Sequence, residues 1–216
     1  MNTTCRRRNG SSVLTILIAA VVIILVAIIV VTALQDARKS TANPGATTGS
    51  DIAAGPSTLG TGYVVRPFRA SDLNGRVVDN TFFANQRLTM VNIWGTFCGP
   101  CIREMPDLAQ LPGEFPTTDF AILGVIVDTS YEATDANEAT NATARQLTGS
   151  AGVTYTNVIP DRSILTEMLA DVSVVPTTFF VDHTGKVVGE VLTGSRSKAD
   201  WTTIIQGMLA GLPAGS

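Results

Sequence analysis

Apolar and polar positions divide the chain into segments of different character. Val13 to Leu34 is a run of 22 residues interrupted only by Thr15 and Thr32. At 1.5 Å per residue such a helix is about 33 Å long, enough for a hydrocarbon core of roughly 30 Å. A cleavable signal peptide has an apolar region of only about 7–15 residues, and no clear small-residue cleavage site closes this one. An uncleaved transmembrane anchor is therefore expected over residues 13–34. Residues 1–12 form a polar, basic tail with Arg6, Arg7 and Arg8, against Asp36, Arg38 and Lys39 after the span. That asymmetry places the tail in the cytoplasm and everything beyond residue 35 outside. Residues 35–62 are rich in Gly, Ala, Ser, Thr and Pro without apolar periodicity. They read as a flexible tether spanning roughly 30 Å root-mean-square. Residues 63–216 have the length of one domain.

Within that domain the period switches repeatedly between two and 3.6. Val64–Ala70 and Arg76–Val78 flank Asp72-Leu73-Asn74-Gly75, a hairpin signal with Asn-Gly at the turn. Leu88–Trp94 reads as a buried strand. Phe120–Val127 is a continuous apolar run suited to a central parallel strand. Between them a helix is expected from Pro100 to about Leu111, bent or interrupted at Pro106 and closed before Pro112-Gly113. Asp135–Leu147 is a polar, alanine-rich surface helix closed by Gly149, Tyr155–Ile159 a short strand, and Arg162–Ala170 a helix. The apolar strand in Val174–Asp182 opens on Pro176, a residue tolerated at a strand's first position. A turn at His183, Thr184 and Gly185 leads to a strand over Lys186–Leu192. Trp201, Ile204, Ile205 and Met208 share one face of a closing helix and read as core packing. The alternation of strands and helices predicts an α/β fold, a mixed sheet with helices on both faces.

Charge removes one class of partner. From Asp51 onward 17 acidic residues outnumber 10 basic ones, with no basic patch, so nucleic acid is not expected. The cysteines carry more. Cys98-Gly99-Pro100-Cys101 follows a strand and opens a helix, with Pro100 in the first turn where its missing N–H costs nothing. Cys98 thus lies at a helix N-terminus, where unpaired N–H groups favour an anion. Such placement lowers a cysteine pKa from about 8.5 to roughly 7. Two intervening residues let Cys101 reach back to Cys98, which makes a dithiol/disulfide redox centre. A c-type haem site needs His after the second cysteine, where Ile102 stands, and a structural zinc site needs about four ligands. The whole chain offers Cys5, Cys98, Cys101 and His183, and Cys5 lies on the other side of the expected membrane. A peroxidatic cysteine follows a threonine three positions earlier, where this chain has Gly95. A purely structural disulfide is the alternative, although so short a loop closes little chain entropy. Cys5 reads as an incidental reduced thiol and His183 as a solvated turn residue.

The run Val91-Asn92-Ile93-Trp94-Gly95-Thr96-Phe97-Cys98-Gly99-Pro100-Cys101-Ile102-Arg103-Glu104-Met105-Pro106 resembles the active site of the thioredoxin superfamily. Its Cys-X-X-Cys-X-X-Glu-X-Pro pattern is similar to the membrane-anchored TlpA/ResA branch. The resemblance implies a thioredoxin-like fold, with residues 129–158 as the helix-and-strand insertion of that branch. It implies that Cys98 attacks, Cys101 resolves and Glu104 tunes or shuttles the resolving thiol's proton. Glu104 and Cys101 share a helix face, being three residues apart; an ordinary solvated glutamate is the other reading of Glu104. Trp94, Phe97, Gly99, Pro100, Val175 and Pro176 are implied as substrate-contacting, with the Val175–Pro176 bond cis, whereas trans is the default from sequence alone. Phe97 stands where the family usually has Trp, and Asn92 where thioredoxin has a buried aspartate. No metal or organic cofactor is implied. The expected activity is thiol–disulfide exchange outside the cell membrane. A reductant is favoured, because Gly99-Pro100 matches the pair in thioredoxin, whose potential is about −270 mV. Implied partners are client protein thiols, for example those of apocytochrome c, and a membrane thiol-transfer protein as electron donor. A disulfide-installing oxidant and a non-catalytic peptide-binding module are the alternatives.

Overall fold

The computed structural model of the protein describes residues 59–213. The basic tail, the expected anchor and most of the expected tether lie outside them. Among the described residues no helix is long and apolar enough to cross a membrane. The described residues form seven strands: β1 (Arg69–Asp72), β2 (Val77–Asp79), β3 (Leu88–Trp94), β4 (Phe120–Ile126), β5 (Thr156–Ile159), β6 (Thr177–Asp182) and β7 (Val187–Thr193). They form one sheet in the order β2-β1-β5-β4-β3-β6-β7. The β3–β4 and β4–β5 pairs are parallel and the others antiparallel, so the sheet is mixed as expected. The α-helices among the described residues are α1 (Gly99–Leu108), α2 (Asp135–Ser150) and α3 (Lys198–Gly211).

Every residue of β3 is buried, which is why the strand reads as a run and not as an alternation. The pleat sorts its side chains between two layers. Leu88 and Met90 pack with Phe120, Ile122 and Phe180 beneath Leu108 of α1 and Trp201 and Ile205 of α3. Further along the same face Trp94 and Ile126 meet Cys98, Cys101 and Met105 of the active-site turn and Ala144 of α2. On the opposite face Val91 and Ile93 join Leu123, Val125, Phe179 and Val181. Shorter pieces close this second layer: Phe83 from a 3-10 stretch over Asn80–Asn85, and Ile164 and Met168 from a π-helical turn over Ile164–Met168.

Two local expectations are corrected and a third is refined. Pro106 lies inside α1 without interrupting it, since beyond it Ala109 N still donates to Met105 O (2.8 Å). The helix expected over 162–170 is present over 162–168 and widens into a π turn: Asp161 Oδ1 caps Ile164 N at 2.8 Å, and Leu169 N reaches back five residues to Ile164 O at 2.9 Å. The folded unit also starts before residue 63. Leu59 is buried in the second layer and Gly62 N donates to Val187 O (2.9 Å). A single leucine among small and polar residues offers no period to read. The Asn-Gly hairpin is as expected. Gly75 takes a positive φ of 79°, and buried Asp72 accepts from Asn74 N and Arg76 N, each at 2.8 Å. His183 is exposed in the β6–β7 turn.

Candidate active site

Strand β3 delivers the chain to Gly95, whose carbonyl accepts from Cys98 N at 3.0 Å. Between them Thr96 is tied to the end of β4. Its N–H lies 3.1 Å from both carboxylate oxygens of Asp128, and its hydroxyl donates to Asp128 Oδ2. Cys98 is the N-cap of α1, with φ −86° and ψ 97°, and its sulfur accepts from Cys101 N at 3.2 Å. Cys98 and Cys101 are joined by a disulfide with Cα atoms 5.3 Å apart. Both are buried, Cys98 at 5% exposure being slightly the less so and Cys101 at 2%. Cys98 Sγ lies 3.6 Å from Val175 O. The Val175–Pro176 bond is cis, as the resemblance implied. The strand entry is held by Thr177 Oγ1 donating to Val174 O (2.7 Å) and Gly194 N to Pro176 O (2.9 Å).

Beside the disulfide a groove of about 330 Å³ is lined by Phe97, Val127, Val172, Ser173, Val174 and Val175. None of these carries a charge. Phe97 is 70% and Val174 51% exposed, an unusual placement for large apolar side chains on a folded surface. Pro100 is exposed, Gly99 and Val175 half-buried, and Pro176 buried. Trp94 is placed differently from the expectation. It is wholly buried beneath the turn and presents nothing to a substrate. Its Nε1 donates to Asn157 Oδ1 of β5 (2.9 Å), so it supports the active-site turn from below. Asn92, also buried, donates to Thr178 Oγ1 at 3.1 Å.

Glu104, one turn beyond Cys101 on the inward side of α1, is only 4% exposed. Its Oε1 accepts from Trp201 Nε1 and, at 3.3 Å, from Arg196 N, whereas Oε2 has no partner among the described residues. Burial raises its pKa above the ordinary glutamate value; the Trp201 and Arg196 contacts oppose that shift. Arg196 lies over the Trp201 ring, 5.1 Å from its centroid. Trp201 therefore does more than pack the core. Asp128, Asn157 and Arg196 were not read from the sequence as site residues. The only local signal was Gly124, a glycine inside the apolar run of β4. A Cβ there would lie 2.0 Å from Asn157 Oδ1, so the glycine makes room for the side chain that holds Trp94.

Residues 61–189 match the AhpC/TSA family. The thiol-disulfide oxidoreductase ResA of Bacillus subtilis (strain 168) is 30% identical over 149 residues, covering 68% of this chain and 75% of that protein. ResA of Geobacillus thermodenitrificans (strain NG80-2) is 30% identical over 144 residues, 67% of this chain and 75% of the relative. Among solved structures, a thioredoxin-family thiol:disulfide interchange protein from Chlorobium tepidum TLS aligns with a TM-score of 0.55. The identity is 22%, over 68% of this chain and 95% of that one, a likeness of fold. With a buried Cys-X-X-Cys disulfide at a helix N-terminus facing a cis proline, the chain belongs to the AhpC/TSA family, as a thioredoxin-like thiol–disulfide oxidoreductase of the ResA type.

Proposed function

We propose that this oxidoreductase is a membrane-anchored reductant of protein disulfides, working outside the cytoplasm. The observation that carries the exchange chemistry is the Cys98–Cys101 pair at the α1 N-terminus, with Cys98 Sγ 3.6 Å from Val175 O. In the reduced protein the Cys98 thiolate attacks one sulfur of a client disulfide. That bond breaks, a mixed disulfide forms, and the second client sulfur leaves as thiolate. Cys101 then passes its proton to Glu104 and attacks Cys98 Sγ, restoring the intramolecular disulfide and freeing the client's other thiolate. Two electrons move to the client, carried by the dithiol itself. The apolar groove at Phe97, Val174 and Val175 accepts the client segment around its cysteine, and Gly99, Pro100 and Pro176 shape the approach.

The direction rests on Gly99-Pro100, the dipeptide of the strongly reducing thioredoxin centre, and the location on the 22-residue apolar run with its basic flank. A reductant in an oxidising compartment needs electrons through the membrane, which assigns a polytopic thiol-transfer protein as donor. Apocytochrome c, whose haem-attachment cysteines must be reduced, is the client this reading favours. The test is the reduction potential of the pair in the full chain in detergent, equilibrated in glutathione or dithiothreitol buffers. The expected value is near or below about −250 mV. One near −120 to −180 mV makes the protein an oxidant that installs disulfides. No reversible transition at all overturns the enzyme reading and leaves a peptide-binding module.

A further inference from the structure

Among the described residues two buried side-chain polar atoms lack a hydrogen-bond partner: Glu104 Oε2 and Tyr155 Oη. They belong to one neighbourhood. Glu104 accepts from Trp201 Nε1, and Tyr155 packs against the apolar cluster that contains Trp201, Leu108 and Phe120. Tyr155 immediately precedes β5, two residues before Asn157, the residue that bonds Trp94 beneath the active-site turn. Burial, and after it the Glu104 charge, raises the phenol's pKa, so the phenol lies within the carboxylate's field. A dry phenol and a dry carboxylate oxygen are complementary, the O–H a donor and Oε2 an acceptor. Left apart, each keeps the full desolvation cost of an unmade bond.

We propose that Tyr155 is a positioning residue for thiol–disulfide exchange: its hydroxyl donates to Glu104 Oε2, directly or through one water, and prepares that carboxylate to take the Cys101 proton. This rests on Glu104 being the proton acceptor. Trp201 Nε1 and Arg196 N already serve Oε1, so Tyr155 supplies the third donor and completes the shell of the ionised form. When the Cys101 S–H bond breaks and a carboxyl O–H forms on Glu104, the phenol turns and accepts from the new acid. The charged groups that act on Glu104 are Arg196 from the β7–α3 loop, which favours the carboxylate, and Asp107 from α1, which opposes it. Cys101 lies one turn back on the same helix, and Tyr155 stands just before β5.

The test follows the reduction potential against pH for the full chain in detergent, for the parent, Y155F, E104Q and the double variant. Phenylalanine keeps the ring and removes only the hydroxyl. The parent shows an inflection from Glu104. Y155F moves it to higher pH by about one unit, because a lost donor disfavours the carboxylate. 3-Fluorotyrosine at position 155, a stronger donor in the same packing, moves it to lower pH. E104Q removes the inflection, and Y155F adds no shift in that background. An inflection that E104Q removes but neither Tyr155 change moves overturns the Tyr155 assignment and leaves Glu104 standing. One that persists in E104Q overturns both.

Discussion

At the scale of single residues the two cysteines are unequal, and that inequality is testable. Cys98 Sγ lies 3.6 Å from the carbonyl oxygen of Val175, which lines the uncharged groove, and Cys101 is slightly more buried. Cys101→Ser is expected to trap mixed disulfides with clients, visible as reducible high-mass bands on a non-reducing gel. Cys98→Ser is expected to give none and to lower exchange to the background of free thiols. Equal trapping by both variants would remove the assignment of attacker and resolver. Glu104 makes a second prediction, about stability. Burial raises its carboxyl above the ordinary value of 4.5. Between 4.5 and the raised value the unfolded chain has released a proton that the folded chain keeps. Unfolded protein then binds fewer protons, so stability falls as pH rises through that window, and the full cost applies above it. Thermal melts between about pH 4 and pH 8 should show this decline in the parent and a flatter profile in Glu104→Gln. The same slope in both would mean that another group is responsible.

At the scale of elements the strands around the site were the most legible parts, and the bonds between them the least. β3 was read with its observed bounds because an unbroken apolar stretch next to a Cys-X-X-Cys turn has one reading. Tethers such as Thr96–Asp128 and Trp94–Asn157 join residues 32 and 63 positions apart, and no local period encodes them. The cis form of Val175–Pro176 and the site role of Glu104 came from family resemblance, since proline and glutamate in those positions have commoner uses. The π turn at Ile164–Met168 escaped because its apolar spacing also suits an α-helix. Gly124 shows how such hidden contacts are tested. Gly124→Ala puts a methyl where Asn157 Oδ1 sits, which forces that side chain away and orphans the buried Trp94 N–H. A loss of about 2–3 kcal/mol in denaturant unfolding is expected. Asn157→Ala in the same background should add little further, because the bond it would remove is already broken. Fully additive losses would show that the two residues do not act through one contact.

At the scale of the whole molecule, the acidic redox domain and the basic apolar N-terminus suit different surroundings. The domain's single sheet carries an apolar layer on each face, and the 22-residue apolar run has the length of the membrane anchor proposed for it. In the proposed topology Arg6, Arg7 and Arg8 keep the N-terminus in the cytoplasm and the domain is the exported part. The intervening segment would hold the redox centre close to the membrane while leaving it free to turn between an electron donor and a client. The three cysteines make this arrangement measurable without any added label, because Cys5 and the Cys98–Cys101 pair fall on opposite sides of the proposed membrane. Intact cells expressing the full chain, treated with a mild reductant and then a membrane-impermeant maleimide, should gain two labels per chain. Cys98→Ser/Cys101→Ser should gain none until the cells are permeabilised, and one afterwards at Cys5. Labelling of that double variant in intact cells would place the N-terminus outside. The redox pair would then face the reducing cytosol, and a reductant there would need no electrons from across the membrane.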